Sequence, residues 1–341
     1  MRAVVKSRPE PGVEVKEVSD PQIGRDEVLI RVRAAAICGS DLGIYYYTPA
    51  YSGMKLPVVL GHEFAGEIVE IGDAVKGLGV GDRVLSESVK ACGSCRFCRE
   101  GMSNLCEAST LFGIHADGGF AEYVAVPYNL LHSMPEGMSF EEASVVEPLS
   151  NAVHFVRDCT PIKLGDLAVV HGVGPIGILS AQLLRLTGAR VLLTGVGVDV
   201  ERFRIAERLG FETVNVEEED LVEKVMVFTD GEGADIAFVA TGAAPALRQA
   251  VQLIRKRGQV TVIGIFPGMV EIPMTRVVRR EIKMVGAYDA KPVNFGQSID
   301  LIQSGKVNVR DLITHKLPLE AAEEAFQLAI SKKGCKVLFT P

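Results

Sequence analysis

Four cysteine residues that stand close together in the chain have the spacing of a metal site. They are Cys92, Cys95, Cys98 and Cys106. Each short interval forces the backbone to turn, and four thiolates gathered in this way can form a closed tetrahedral shell around Zn²⁺. Because a closed shell leaves no position for a substrate, this zinc is predicted to be structural. An iron–sulfur cluster is the alternative, which four cysteines alone do not exclude.

A second group of potential metal ligands combines sulfur, nitrogen and oxygen donors and is spread along the first half of the chain. Its members are Cys38, His62, Glu63 and Glu147. For zinc, a mixed donor set usually means three protein ligands plus a position for water or substrate, so these residues predict a reactive metal site. Taken singly, each has an ordinary structural explanation. A cysteine flanked by small residues is usually part of a core, and a glutamate is usually exposed to solvent.

A glycine-rich segment predicts the binding of a dinucleotide. The letters G-V-G-P-I-G, which begin at Gly172, follow the apolar run LAVV and precede a helix-like pattern. Gly172 permits a tight turn, Gly174 lets the backbone approach a pyrophosphate, and Gly177 lets the helix pack closely on the strand. Pro175 and Ile176 open a helix whose N-terminus favours negative charge. The alternative, that the glycines serve only turns, is disfavoured by the flanking strand and helix.

The residues that would choose between NAD and NADP allow more than one interpretation. An acid that holds the ribose of NAD is expected about 20 residues after the glycines, and Gly195 occupies that place. Asp199 would serve NAD if it folds back. Thr194 and Arg202 would hold the 2′-phosphate of NADP if the glycine turn leaves room for it. A third interpretation makes Arg202 and Arg204 solvated helix residues, so the form of the cofactor stays open.

The pattern of apolar residues divides the chain into two kinds of structure. Up to about residue 150, short valine-rich runs broken by Gly, Pro and Asp predict short strands with tight turns. Between about 165 and 285, apolar runs alternate with helical periodicity, which predicts a parallel sheet covered by helices. From about 290, two amphipathic segments precede the closing run KVLFTP and are predicted to pack back on the first domain.

Composition and charge exclude several classes of protein. The 341 residues include 36 basic and 43 acidic side chains, a net charge of −7, which disfavours binding to nucleic acid or to a membrane surface. With 48% hydrophobic and 23% charged residues, the sequence is typical of packed domains. The first residues lack the apolar run of a signal peptide, so we expect a cytoplasmic protein with reduced thiols. Cys159 and Cys335 are then predicted to be small apolar fillers.

Several short motifs follow one another in a specific order. They are C-G-S-D at 38–41, G-H-E-F-A-G at 61–66, G-D-R-V at 81–84, the four-cysteine segment and G-V-G-P-I-G at 172–177. In this order they resemble the zinc-containing medium-chain dehydrogenases along nearly the whole chain. E-P at 147–148, where simple alcohol dehydrogenases have a cysteine, is more similar to the sorbitol and threonine dehydrogenase branches.

The resemblance implies an α/β protein with two domains. A GroES-like β-barrel catalytic domain would span 1–147, contain the structural-zinc lobe at about 88–110 and be completed by 290–341. A doubly wound parallel-sheet Rossmann domain would span 148–289 and bind the dinucleotide. The family resemblance also implies a homo-oligomer, either a dimer or a tetramer.

Carried onto the matching positions, the resemblance implies roles at the reactive site. Cys38, His62 and either Glu63 or Glu147 would hold a catalytic zinc, the two carboxylates being able to exchange, so each subunit would carry two zinc ions. This zinc would polarise the substrate hydroxyl so that hydride can pass to the nicotinamide. Ser40 matches the hydroxyl relay that passes the alcohol proton outward.

The function that these features imply is oxidation of a secondary alcohol of a polyol, sugar or sugar acid with NAD or NADP, or the reverse reduction of a ketone. Oxidation of an amino alcohol, as in threonine dehydrogenases, is one alternative. A non-catalytic protein that binds nucleotide and zinc is another. Two departures from the family are notable: Gly43 stands where threonine-type members have a histidine, and Tyr288 and Asp289 lie where polyol dehydrogenases tend to present an arginine.

Overall fold

In the computed structural model, which describes residues 1–341, the beginning and the end of the chain fold together as one unit. This first unit comprises Met1–Ser150 and Ala290–Pro341. The second unit comprises Asn151–Asp289. None of the helices combines the length and the apolar character that a membrane-spanning segment requires.

Short strands dominate the first part of the chain. They are β1 Arg2–Lys6, β2 Glu14–Glu17, β3 Glu27–Ala36, β4 Val58–Val59, β5 Glu63–Ile71, β6 Arg83–Ser86, β7 Val89–Lys90, β8 Thr110–Leu111, β9 Tyr123–Pro127 and β10 Leu131–Ser133. The helices of this part are α1 Gly39–Tyr45, α2 Arg96–Arg99, α3 Phe140–Ala143 and α4 Val146–Val153, the last followed by a π-helical turn at His154–Asp158. Strand β3 alternates as a half-buried strand does, with Val28, Ile30 and Val32 fully buried.

Parallel strands and intervening helices form the second unit. The strands are β11 Leu167–His171, β12 Arg190–Gly195, β13 Glu212–Asn215, β14 Ala234–Val239, β15 Ile254–Val262 and β16 Lys283–Gly286. The helices are α5 Pro175–Leu186, α6 Val200–Arg208, α7 Leu221–Phe228, α8 Ala244–Leu253 and α9 Met274–Arg279. The sheet order is β13-β12-β11-β14-β15-β16 with all neighbours parallel. This is the doubly wound order, in which ligands bind beyond the carboxyl ends of the central strands.

The final part of the chain adds two strands to the largest sheet of the first unit. Its elements are α10 Pro292–Gln303, β17 Ile313–Leu317, α11 Ala322–Ile330 and β18 Lys336–Phe339. The sheet order is β10-β6-β5-β3-β18-β17, with β9 also paired to β3, and a smaller sheet has the order β2-β1-β4. All four residues of β18 are buried between β3 and β17, so the last strand is part of the core.

Candidate metal centres and nucleotide site

The starts of α1 and β5 bring the first set of predicted metal ligands together. Cys38 is the residue before α1, and its backbone N–H donates to Asp41 Oδ2 at 2.8 Å, which ties down the first helical turn. His62 immediately precedes β5, whose first residue is Glu63. Glu63 pairs in register with Ala36 of β3, two residues before Cys38. The pairing of β3 with β5 therefore sets the spacing of these side chains.

Donor atoms of Cys38, His62 and Glu63 all lie within 4.8 Å of one another. His62 and Glu63 are buried and Cys38 is half-buried. Buried Lys336 donates from Nζ to Glu63 Oε2, whereas Glu63 Oε1 has no hydrogen-bond partner. A buried carboxylate oxygen without a partner is costly unless a cation approaches it. The mixed donor set and this oxygen fit a zinc ion.

The imidazole of His62 lies between two polar neighbours from α1. Its Nδ1 is 3.8 Å from Asp41 Oδ1 and its Nε2 is 3.4 Å from Ser40 Oγ. Burial opposes a charge on this ring, but the Asp41 carboxylate and the Cys38 thiol outweigh it and raise the pKa of His62 well above its ordinary value. Burial, which also disfavours a charged carboxylate, raises the pKa of Asp41. A metal ion and a proton thus compete for the same imidazole.

Glu147, the second candidate carboxylate, is buried near the start of α4. It lies outside the group of donors that are within 4.8 Å of one another. Burial raises its pKa, an effect opposed by the charge of His62 and reinforced by the charge of Glu63. A hydrogen bond with Ser88 favours its charged form. The structure therefore places both carboxylates in one electrostatic environment but brings only Glu63 into the compact donor group.

The four predicted lobe cysteines also converge. Their sulfur atoms lie within 4.8 Å of one another around α2, and the paired strands β7 and β8 flank the segment. The Sγ atoms of Cys95 and Cys98 are 3.5 Å apart, and those of Cys92 and Cys98 are 4.0 Å apart. A tetrahedral zinc with ~2.3 Å bonds to sulfur places its ligands ~3.8 Å from one another. The four side chains therefore fit a closed zinc shell.

Local hydrogen bonds divide the lobe thiols into two kinds. Backbone N–H groups of Ser94 and Cys95 lower the pKa of Cys92 to about 6. Burial and a hydrogen bond with Cys95 raise the pKa of Cys98 to about 12. The thiolate form is therefore favoured at Cys92 over Cys98, and a bound cation would favour the thiolate at both positions.

The glycine loop joins β11 to α5. Gly172 has φ +111°, a conformation that side chains rarely adopt. A Cβ on Gly177 would lie 1.8 Å from the carbonyl oxygen of Gly172, so the helix can approach the loop only with glycine there. Gly174 is the residue before α5, Pro175 is its first residue and Ile176 its second. The free N–H groups at this helix start are suited to bind an anion.

Asp199 folds back towards the end of β12. Its Oδ2 accepts from the Val196 N–H at 3.2 Å and would lie 3.2 Å from a Cβ on Gly195. Its Oδ1 is 3.6 Å from Arg202 Nη1. The same guanidinium atom lies 4.0 Å from the position of a Cβ on Gly174. The acid and the arginine therefore meet beside the glycine loop.

The residues that were considered for binding the 2′-phosphate of NADP differ in how deeply they are buried. The side chain of Arg202 is only 12% exposed, so its interpretation as a solvated helix residue is wrong. Arg204, by contrast, is 63% exposed and pairs with Glu201. Thr194 is buried in β12, in register with His171 of β11.

Sequence reasoning missed two features of the structure. Lys336, which pairs with Glu63, is separated from it by most of the chain, and no local pattern points to the contact. Cys159 is not the simple apolar filler that was predicted, because its Sγ lies 3.5 Å from Nε2 of His154. The spacing of His154, Asp158 and Cys159, about one helical turn, is the signal that could have found this second contact.

Comparisons with known proteins cover both units. Residues 24–136 match the alcohol dehydrogenase GroES-like domain, and residues 175–304 match the zinc-binding dehydrogenase domain. The chain is 37% identical to a sorbitol dehydrogenase of Halalkalibacterium halodurans, over 100% of this chain and 99% of the relative. It is 38% identical to an L-threonine 3-dehydrogenase of Pyrococcus horikoshii, over 99% and 98% of the two chains.

A solved structure extends these similarities to the whole backbone. It is a protein of Sinorhizobium meliloti 1021, described as a zinc-binding dehydrogenase and bound to NADP. The two structures superpose with a TM-score of 0.92 at 32% sequence identity, over 100% of this chain and 99% of the other. The predicted α/β fold, with a GroES-like domain and a Rossmann-type parallel sheet, is confirmed.

Proposed function

Because the chain belongs to the zinc-containing medium-chain dehydrogenase family, we propose that it oxidises a secondary alcohol of a polyol, sugar or sugar acid with NAD or NADP, or reduces the matching ketone. The predicted family resemblance is confirmed, and the protein is an alcohol or polyol dehydrogenase. The observation that carries the proposal is the buried donor group of Cys38, His62 and Glu63. A protein that bound nucleotide without catalysing a reaction would not need these three ligands close to one another.

Cys38, His62 and Glu63 would hold the catalytic zinc. When bound, zinc supplies a Lewis acid that lowers the pKa of the substrate hydroxyl. Glu63 is the better third ligand of the two carboxylates, since its Oε1 is buried without a partner while Lys336 holds its Oε2. Glu147 is a second buried acid that interacts electrostatically with His62 and Glu63, and it can accept a hydrogen bond from a polar substrate.

Ser40 would transfer the proton of the substrate alcohol, and Asp41 would orient the imidazole of His62. The hydroxyl of Ser40 can accept a proton from the substrate alcohol while it donates its own, and its Oγ is 3.4 Å from His62 Nε2. Asp41 lies on the other side of the ring, at Nδ1, where a carboxylate fixes the orientation of a metal-binding histidine.

The glycine loop and the start of α5 would hold the pyrophosphate of the cofactor, which supplies the hydride acceptor when bound. The residues are Gly172, Gly174, Pro175, Ile176 and Gly177. Gly195 and Thr194 end the neighbouring strand, where the adenosine ribose would lie. Asp199 can accept hydrogen bonds from the ribose of NAD, and Arg202 can pair with the 2′-phosphate of NADP. The two side chains also pair with each other. The preferred cofactor would therefore depend on whether Asp199 binds the ribose of NAD or Arg202 binds the 2′-phosphate of NADP.

The lobe cysteines, Cys92, Cys95, Cys98 and Cys106, would hold a second, structural zinc, for which their sulfur spacing is suitable. The family resemblance also supports a homo-oligomer, a dimer or a tetramer, in the cytoplasm. Amino-alcohol oxidation is the second candidate function, because similarity to an L-threonine 3-dehydrogenase is as high as that to a sorbitol dehydrogenase.

The proposal is tested by zinc content per subunit together with reduction of NAD⁺ and NADP⁺ in the presence of polyols, sugar acids and L-threonine. We expect two zinc ions per subunit and turnover with at least one polyol or sugar acid. The Cys38→Ala variant should keep one zinc and lose turnover. One zinc and no turnover in the folded wild-type protein would instead support the non-catalytic alternative.

A further inference from the structure

A cysteine, a histidine and an aspartate form a chain of polar contacts after α4, within the second unit, and none of the three belongs to either group of metal donors. His154 Nδ1 is 2.9 Å from Asp158 Oδ2, and His154 Nε2 is 3.5 Å from Cys159 Sγ. An ionised carboxylate only accepts hydrogen bonds, so Nδ1 carries a proton and donates to Asp158. In the neutral ring, Nε2 is then the acceptor, and it faces the thiol.

The surrounding backbone holds this arrangement in place. The π-helical turn at His154–Asp158 is closed by the Cys159 N–H, which donates to the carbonyl oxygen of His154 at 3.2 Å. The side chain of Gln259 donates to the carbonyl oxygen of Cys159 at 2.8 Å. His154 is only 6% exposed, whereas Cys159 is half-buried. Solvent therefore reaches part of Cys159, while the imidazole of His154 stays shielded from water.

We propose that Cys159 is a nucleophilic thiol, activated by His154, that is modified by small soft electrophiles such as peroxides and alkyl halides. The arrangement contains the parts that activate a thiol: a nucleophile, a base in hydrogen-bond reach, and an acid that orients the base. Asp158 acts through His154 and is a positioning residue. Cys335, a buried free cysteine that is 5% exposed, provides the comparison within the same chain.

With hydrogen peroxide, the thiol proton moves to His154 Nε2 and the sulfur bonds to one peroxide oxygen as the oxygen–oxygen bond breaks. The imidazolium returns the proton to the leaving hydroxide, which becomes water. Sulfur is oxidised to a sulfenic acid and the peroxide is reduced. With iodoacetamide, a sulfur–carbon bond forms as the carbon–iodine bond breaks, iodide leaves, and the thiol proton passes through His154 to solvent.

The test is the rate at which iodoacetamide labels Cys159 in the zinc-loaded protein at neutral pH, measured by mass spectrometry of peptides. We expect Cys159 to react about tenfold or more faster than Cys335. His154→Gln should slow the labelling of Cys159 about tenfold, and Asp158→Asn should slow it less. Arg157→Gln, which changes an exposed charge in the same turn, should leave the rate unchanged.

Whether the labelling of Cys159 becomes slower or faster in His154→Gln shows whether His154 acts as a base or only packs the turn. If His154 only packed the turn, its replacement would loosen the segment and speed the labelling of Cys159. Labelling that is unchanged or faster in His154→Gln, with Cys335 still protected, would overturn the proposal, as would a wild-type rate at Cys159 no higher than at Cys335. If Cys335 becomes labelled in His154→Gln, the variant has opened, and the same comparison is made with Asp158→Asn.

Discussion

Lys336 and Glu63 form a buried ion pair across strand β3, beside the candidate catalytic metal site. Lys336 begins β18 and Glu63 begins β5, and both strands pair with β3. Their side chains are 2% and 0% exposed. Buried charges persist only when they are paired and hydrogen-bonded. The lysine therefore fixes one oxygen of the carboxylate and leaves the other for a cation.

Lys336→Met should leave the Glu63 carboxylate buried without its partner. We expect the free energy of unfolding of chelator-treated protein to fall by about 3 kcal/mol, a typical cost of breaking a buried pair. The loss should be smaller in zinc-loaded protein, because the metal supplies the missing positive charge. Denaturant unfolding measures both values. The double variant Lys336→Met with Glu63→Gln should recover much of the loss; no recovery would argue against a direct pairing effect.

Glu63→Gln and Glu147→Gln should differ in zinc content. Glu63 is within the compact donor group, so its amide variant is expected to lose the catalytic zinc and retain only the structural one. Glu147→Gln should keep both metals and lower turnover only. Metal analysis of the two purified variants makes the comparison. Loss of zinc from Glu147→Gln alone would assign the third ligand to Glu147.

Ser40→Ala should lower kcat about a hundredfold while zinc content and folding stay unchanged, since proton transfer by a positioned side chain contributes about that much. Ser40→Thr keeps the hydroxyl and should retain more activity than the alanine variant. Steady-state kinetics with metal analysis measures both. A kcat for Ser40→Ala equal to that of the wild type would exclude the proposed proton path.

Asp199→Asn should shift cofactor preference towards NADP. Removal of the carboxylate charge lowers its repulsion of a 2′-phosphate and frees Arg202 from its ion pair. The ratio of kcat/KM for NADP⁺ to that for NAD⁺ is expected to rise about tenfold. Arg204→Gln, which changes an exposed arginine on the same helix, is the control and should leave the ratio unchanged. A fall in the ratio for Asp199→Asn would contradict the assignment.

His171 should make the protein sensitive to acid. Burial lowers the pKa of this imidazole to about 4. Between about pH 6.5 and pH 4 the unfolded chain binds a proton that the folded chain does not, so stability falls as the pH falls, by up to about 3 kcal/mol. His171→Leu should therefore lose less stability on acidification, as measured by Tm against pH. His315→Asn, at a less buried histidine, should behave like the wild type.

Local sequence was sufficient for the fold class, the four-cysteine lobe and the glycine loop. Strand and helix periodicity repeats within a few residues, and Cys92, Cys95 and Cys98 need only one tight turn to meet. Gly172 and Gly177 are likewise recognisable because a short loop between a strand and a helix tolerates no side chain there.

Contacts between distant segments required the folded chain. Whether Glu63 or Glu147 joins Cys38 and His62 depends on how β3 pairs with β5. The register of that pairing cannot be predicted from the positions of the glutamates in the sequence. The position of Lys336 depends on the last strand entering the core beside β3. Periodicity predicts that a strand forms and which of its faces is buried. The partner of each buried charge is set by strand pairing. The reason is that an unpaired charge costs free energy only after the folded chain has excluded water from it.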